Sequence, residues 1–302
     1  MAFILYFPHA LCYNKKIKFQ ERLYSKVIMY KVGLTSKSNV FSDELFRTCQ
    51  EAGIHVMEIS NCSAGYADID FKSVKELADR NGVTLRSLHL PFKTHEGISH
   101  DIGNPEVCDV AVEDQKKLIE RGAEIGVKIF VIHPSCALVP DEEREIWLEV
   151  CKKSLYELAE YADSFGAVIA VENMTHKCLG NTIAEFAELV SAHPKLCVCF
   201  DINHLLHESP RDFIKLFADK IITLHVSDCD LEVEQHKLPG EGKIDFAEVL
   251  AALREVGYSG PWIYEVSYIC PQPEDDKYKL TPASFVKNAE ELFAGKTPTR
   301  QR

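Results

Sequence analysis

From residue 30 onward, short runs rich in Val, Ile, Leu and Phe alternate with stretches whose apolar residues recur every three or four positions. The short runs predict strands at 30–35, 54–59, 84–90, 127–132, 167–172, 196–201, 221–226 and 262–267. Between them the helical period predicts helices near 43–52, 72–81, 105–125, 141–165, 181–192, 210–218, 245–256 and 282–294. The clearest is DEEREIWLEVCKKSLYELAEYADSFG, whose acidic start suits the positive end of a helix dipole and whose Gly166 is a stop. Repeated strand–helix units without a Pro/Gly-rich linker predict a parallel α/β domain. A single (β/α)8 TIM barrel over residues 29–296 is favoured over an open doubly wound sheet. No Gly-x-Gly-x-x-Gly follows the first run, and polar residues end many of the runs, as they would around one barrel mouth. Residues 1–28 read as a poorly ordered N-terminal extension and 297–302 as a tail.

The polar endings carry the chemistry. AVIAVE ends at Glu172, LCVCFD at Asp201, IITLH at His225 and WIYE at Glu265. A charged group closing a buried apolar strand is costly unless something pairs with it. Carboxylate and imidazole donors together suit one divalent metal ion (Mn, Co, Zn or Mg), with coordination positions left for substrate or water. Other run ends add Glu58, His89 and His133 as candidate substrate contacts or supports. His204 lies three residues past Asp201, about one helical turn, and serves either as metal neighbour or as substrate contact. His236 stands four residues before Gly240 in the Pro-Gly-Glu-Gly turn, which would carry it over the mouth; Asp245 follows as the expected cap of the next helix. His95 and His176 follow strands and are further candidates for lining the mouth. Trp147 and Trp262 read as packing residues, while Phe92 and Trp262, both near strand ends, could alternatively meet a sugar face.

Composition narrows the partners. With Lys+Arg 34 against Asp+Glu 46 the formal charge is −12, a poor match for phosphate-backbone binding. The 11 cysteines form no Cys-x-x-Cys pair and read as reduced thiols of a cytoplasmic protein. No run reaches the length of a membrane span, and the N-terminus lacks the charged start and cleavage site of a secretory leader.

On Glu172-Asn173, Asp201-Ile-Asn-His204, His225-Val-Ser-Asp228, His236 with Gly240-Glu241-Gly242, and Glu265, residues 30–295 resemble the xylose isomerase-like TIM-barrel superfamily of sugar isomerases and epimerases. The resemblance implies that Glu172, Asp201, His225 and Glu265 bind one divalent metal. It also implies that Glu172 and Glu265 are catalytic, moving a proton on and off the carbon beside a carbonyl. An Arg that ketose 3-epimerases carry after the seventh-strand His is replaced here by Asp228, Cys229 and Asp230. The superfamily also contains apurinic endonucleases that hold three zinc ions. Their nine ligands would correspond to His89, His133, Glu172, Asp201, His204, His225, Glu234, His236 and Glu265. The acidic balance and the lack of an Arg/Lys-rich loop set favour a small carbohydrate over DNA. The expectation is an isomerase or epimerase of a sugar, sugar phosphate or inositol derivative, acting through an enediolate. An inosose-type dehydratase is the near alternative, and an endonuclease-like phosphodiesterase the remoter one. A homo-oligomer is compatible with the resemblance.

Overall fold

The computed structural model describes residues 30–36, 41–60, 66–93, 99–266 and 280–299. The extension assigned to 1–28, the last residues of the tail and His95 lie outside them. Eight strands close a parallel barrel in chain order: β1 (Val32–Thr35), β2 (Val56–Ile59), β3 (Thr84–His89), β4 (Ile129–Ile132), β5 (Val168–Glu172), β6 (Cys197–Asp201), β7 (Ile221–Val226) and β8 (Trp262–Tyr264). Pairing of β1 with β8 shuts the sheet. Each strand is followed by a helix: α1 (Asp43–Ala52), α2 (Phe71–Arg80), α3 (Cys108–Glu124), α4 (Arg144–Asp163), α5 (Ile183–Val190), α6 (Pro210–Leu216), α7 (Phe246–Glu255) and α8 (Pro282–Phe293). Among the described residues no helix is long and apolar enough to cross a membrane, and every described cysteine is free.

Local chemistry explains the boundaries. Ser42 accepts from Leu45 N at 3.2 Å and Asp245 accepts from Ala247 N and Glu248 N, so each stops its helix fraying at the N-terminus. α4 begins at Arg144, later than its acidic sequence suggested, because Glu143 offers no side-chain cap and residues 141–143 form a turn. Gly166 (φ 61°) follows its end in the left-handed region that a Cβ would resist.

The strand period of two decides what faces inward. Ile129 and Val131, Val168 and Ala170, Cys197 and Cys199 pack together inside the barrel. Glu172 shares the parity of Ala170, and Asp201 that of Cys199, so both side chains are delivered to the interior at the strands' C-terminal ends. The opposite parity, for instance Phe130, Ile169, Val171 and Phe200, joins the larger core under the helices. Trp262 belongs to that outer core, in keeping with its reading as a packing residue and against the alternative of a sugar contact. It opens β8 rather than ending it, and is fully buried beside Tyr30, Phe246 and Phe293.

The loop after β7 is organised by one carboxylate. Asp228 is fully buried and accepts from Gly240 N and Gly242 N (both 2.8 Å), Cys229 N (2.9 Å) and Ile244 N (3.2 Å). This one Asp thereby pins the Pro-Gly-Glu-Gly turn. A Cβ on Gly242 would lie 2.2 Å from Cys229 O and 2.3 Å from Asp228 Oδ1. Gly242→Ala and Asp228→Ala should each destabilise the protein by on the order of 2 kcal/mol, read as a lower urea midpoint; an unchanged midpoint would deny the loop this role.

Candidate metal and substrate site

At the C-terminal mouth, donor atoms of Glu172, Asp201, His225 and Glu265 all lie within 4.8 Å of one another, and all four residues are buried. The sequence-predicted quartet is therefore assembled. His225 Nδ1 stands 3.2 Å from Glu172 Oε1, 3.2 Å from Glu265 Oε2 and 4.0 Å from Asp201 Oδ2. Glu172 Oε1, Asp201 Oδ2 and His225 Nδ1 are buried yet form no hydrogen bond. Three orphaned donor atoms aimed at one point are what a cation-binding centre looks like, since buried polar atoms are otherwise paired.

Supporting contacts fix each donor's direction. His225 donates from Nε2 to Glu58 Oε1 at 2.9 Å, and Ser87 donates to Glu58 Oε2 at 2.7 Å. Asp201 Oδ1 accepts from Asn203 N and His204 N, which leaves Oδ2 for the centre. Asn173, whose neighbour is Glu172, donates to Asp201 O and accepts from Asp201 N, tying the ends of β5 and β6 together.

The other histidines follow a common pattern. His89, His204 and His236 each donate from Nδ1 to a backbone carbonyl, of Leu90, Asn173 and Glu265 respectively. Each therefore presents Nε2 to carboxylates: His89 to Glu172 at 3.1 Å, His204 to Glu234 at 3.6 Å and His236 to Glu234 at 3.0 Å. His133 Nε2 lies 3.3 Å from Glu172 Oε2. Two further donor groups result, His89–Glu172–His225 and His204–Glu234–His236.

A cavity of about 550 Å³ opens above the quartet, with His133, His204, His236, Glu172, Glu234 and Glu265 in its lining. The expected mouth residues His176 and Phe92 line it too. Glu58 and His89 do not: both lie buried beneath the floor, where Glu58 touches His225 and His89 touches Glu172. Their contacts are with the donor residues, not with the space a substrate would fill. Of the two roles the sequence left open for Glu58, substrate contact or support, its place beside His225 fits the second, and follows from its inward parity on β2.

Electrostatics are dominated by crowding. Burial, reinforced by Glu172 and Glu265, pushes the Asp201 carboxyl up to about 7. Burial opposes charge on His204, but Asp201, Glu234 and Glu172 hold it protonated up to about 10. The same contest raises His225 well above its ordinary range, whereas burial prevails at His133 and lowers it. His204 and His236 hold Glu234 far below the usual carboxylate range.

The sequence profile of the family described as xylose isomerase-like TIM barrel matches residues 46–287. An uncharacterized protein of Methanocaldococcus jannaschii is 30% identical over 206 residues, covering 63% of this chain and 67% of that protein. The inosose isomerase of Bacillus velezensis is 29% identical over 195 residues, or 60% of this chain and 66% of the isomerase. The probable endonuclease 4 of Bacillus subtilis is 26% identical over 242 residues, or 72% and 77% respectively. Among solved structures, a D-tagatose 3-epimerase-like protein superposes with a TM-score of 0.63 at 25% identity, over 78% of this chain and 89% of the other.

The pH dependence of metal-free protein follows from these shifts. Folded His204 keeps its proton from the ordinary 6.5 up to about 10, so the stabilisation it lends is complete below 6.5 and lost as pH rises through 10. Chelator-treated protein should therefore melt at progressively lower temperature between pH 7 and 10, and His204→Gln should flatten that decline. A melting temperature that holds or climbs over this range would contradict the assignment.

Proposed function

The chain belongs to the xylose isomerase-like TIM-barrel family, and on that premise we propose that it is a divalent-metal-dependent isomerase or epimerase of a sugar, sugar phosphate or inositol-derived substrate. The observation that carries the reading is the quartet itself: Glu172, Asp201, His225 and Glu265 crowded at the mouth, with Glu172 Oε1, Asp201 Oδ2 and His225 Nδ1 buried and without hydrogen bonds. The donor set, three carboxylates and one imidazole, suits Mn, Co, Zn or Mg. An ion held there supplies Lewis-acid polarisation of a carbonyl and its neighbouring hydroxyl.

The protein's own groups then divide the work. Glu265 and Glu172 both line the cavity, so either can take a proton from the carbon beside the carbonyl while the other returns it. His133, His204 and His236, also in the lining, are placed to donate to substrate oxygens as charge develops in the enediolate. Glu58 acts as a positioning residue by holding His225 in the tautomer that exposes Nδ1. His89 orients Glu172 by its contact with Oε2, which leaves Oε1 toward the other donors. The inosose isomerase and epimerase-like relatives support a carbohydrate substrate, and the free cysteines support a cytoplasmic setting.

A second reading, hydrolysis of phosphodiesters at abasic DNA sites, is favoured by the additional donor group His204–Glu234–His236 and by the endonuclease relative. Three metal ions per chain and incision of an abasic oligonucleotide would establish it. The formal charge of −12 weighs for the smaller substrate.

Solvent exchange of the α-proton, followed by NMR in D2O on a panel of ketoses and inososes, tests the leading reading. Glu172→Gln and Glu265→Gln should each slow exchange by on the order of 10²–10⁴-fold, and release of water would mark a dehydratase instead. Full exchange in both variants would dismiss the two-carboxylate mechanism. Chelation should abolish exchange, and readdition of Mn, Co, Zn or Mg should restore it; activity untouched by chelation would refute metal dependence.

A further inference from the structure

The cavity has two chemically different sides. The ends and loops of β6, β7 and β8 contribute His204, Glu234, His236 and Glu265. The ends and loops of β3, β4 and β5, neighbours around the barrel, contribute all the apolar members, Phe92, Cys136, Leu138, Met174 and Cys178, beside the polar Lys93, His133, Glu172, Thr175 and His176. Leu138 is 65% exposed, an open apolar group beside a polar reaction centre.

This wall is built rather than incidental. Buried Asp101 accepts from Cys136 N at 2.8 Å and Ala137 N at 2.9 Å. The loops after β4 and β5 clasp each other through Val139 N to Lys177 O (3.0 Å) and Leu179 N to Ser135 Oγ (2.8 Å). Arg144 fastens the second loop further by donating to Lys177 O and Cys178 O. A surface fixed in advance costs little ordering on binding. The open-mouthed cavity, about 550 Å³, falls within the range of drug-sized ligands. An unsubstituted sugar offers the wall only its C–H faces, whereas an apolar substituent would extend the contact to exposed Leu138.

We infer that the substrate is a sugar or cyclitol derivative bearing an apolar alkyl or aryl substituent, which packs on the Phe92–Leu138–Met174 wall while the polyol part meets the quartet. This rests on the carbohydrate reading above and narrows its substrate class.

Calorimetric titration of the Mn-loaded protein with methyl and hexyl β-D-glucosides tests it without turnover. Hexyl should bind tighter than methyl by roughly tenfold or more, and Leu138→Ser should remove most of that gain. Equal affinities, no binding of either glucoside, or a gain that survives in Leu138→Ser would overturn the inference. The two readings fail separately. Absence of α-proton exchange on any substrate, with the hexyl gain intact, removes the isomerase alone; exchange with no hexyl gain removes the apolar wall alone.

Discussion

Like charges in a dry place must be offset, and this requirement shapes the molecule. Glu58, Glu172, Asp201 and Glu265 are all buried at one end of the barrel. Two carboxylates 4 Å apart repel by about 4 kcal/mol even at an effective dielectric near 20. In the metal-free protein the offset comes from protons: Asp201 is pushed up to about 7, and His204 and His225 keep their charge above the ordinary imidazole range. Protonated ligands cannot coordinate, so a dication would have to displace them. The same crowding thus opposes folding without a counterion and makes the site receptive to one.

Barrel closure is what imposes the crowding. Residues separated by as much as the distance from Glu58 to Glu265 in the chain reach one point because every strand runs the same way and ends at the same mouth. The side-chain alternation then sorts each terminal residue inward. Beneath the cavity floor Glu58 and His89 brace the donors, and above it the loops are held by Asp228 and Asp101, which accept from backbone amides, and by Arg144, which donates to backbone carbonyls and pairs with Glu185.

Much of this was legible in the sequence because strands advertise their inward face. AVIAVE and LCVCFD place Glu172 and Asp201 in phase with small or apolar residues, so their direction follows from parity. Glu265 follows Ile263 by two and His225 follows Thr223 by two, with the same result. What the pattern could not convey was depth. Glu58 ends its strand as plausibly as Glu172 does, yet it sits below the cavity because His225 lies between. For Trp262 the pattern left packing and a sugar contact both open, and its place at the entry of β8 rather than the exit leaves packing. Loops carry no period at all. Nothing in the run from Ser135 to Val139 announces that Leu138 would stay exposed beside the site, and the service of Asp228 to four backbone amides depends on a turn closed fourteen or so residues later.

The most direct test is anomalous diffraction from crystals grown with Mn²⁺, collected on both sides of the Mn absorption edge. A single strong anomalous peak between Glu172 Oε1, Asp201 Oδ2, His225 Nδ1 and Glu265 Oε2 is the expected result. Crystals of folded, active protein with no anomalous density among those four atoms would contradict the account.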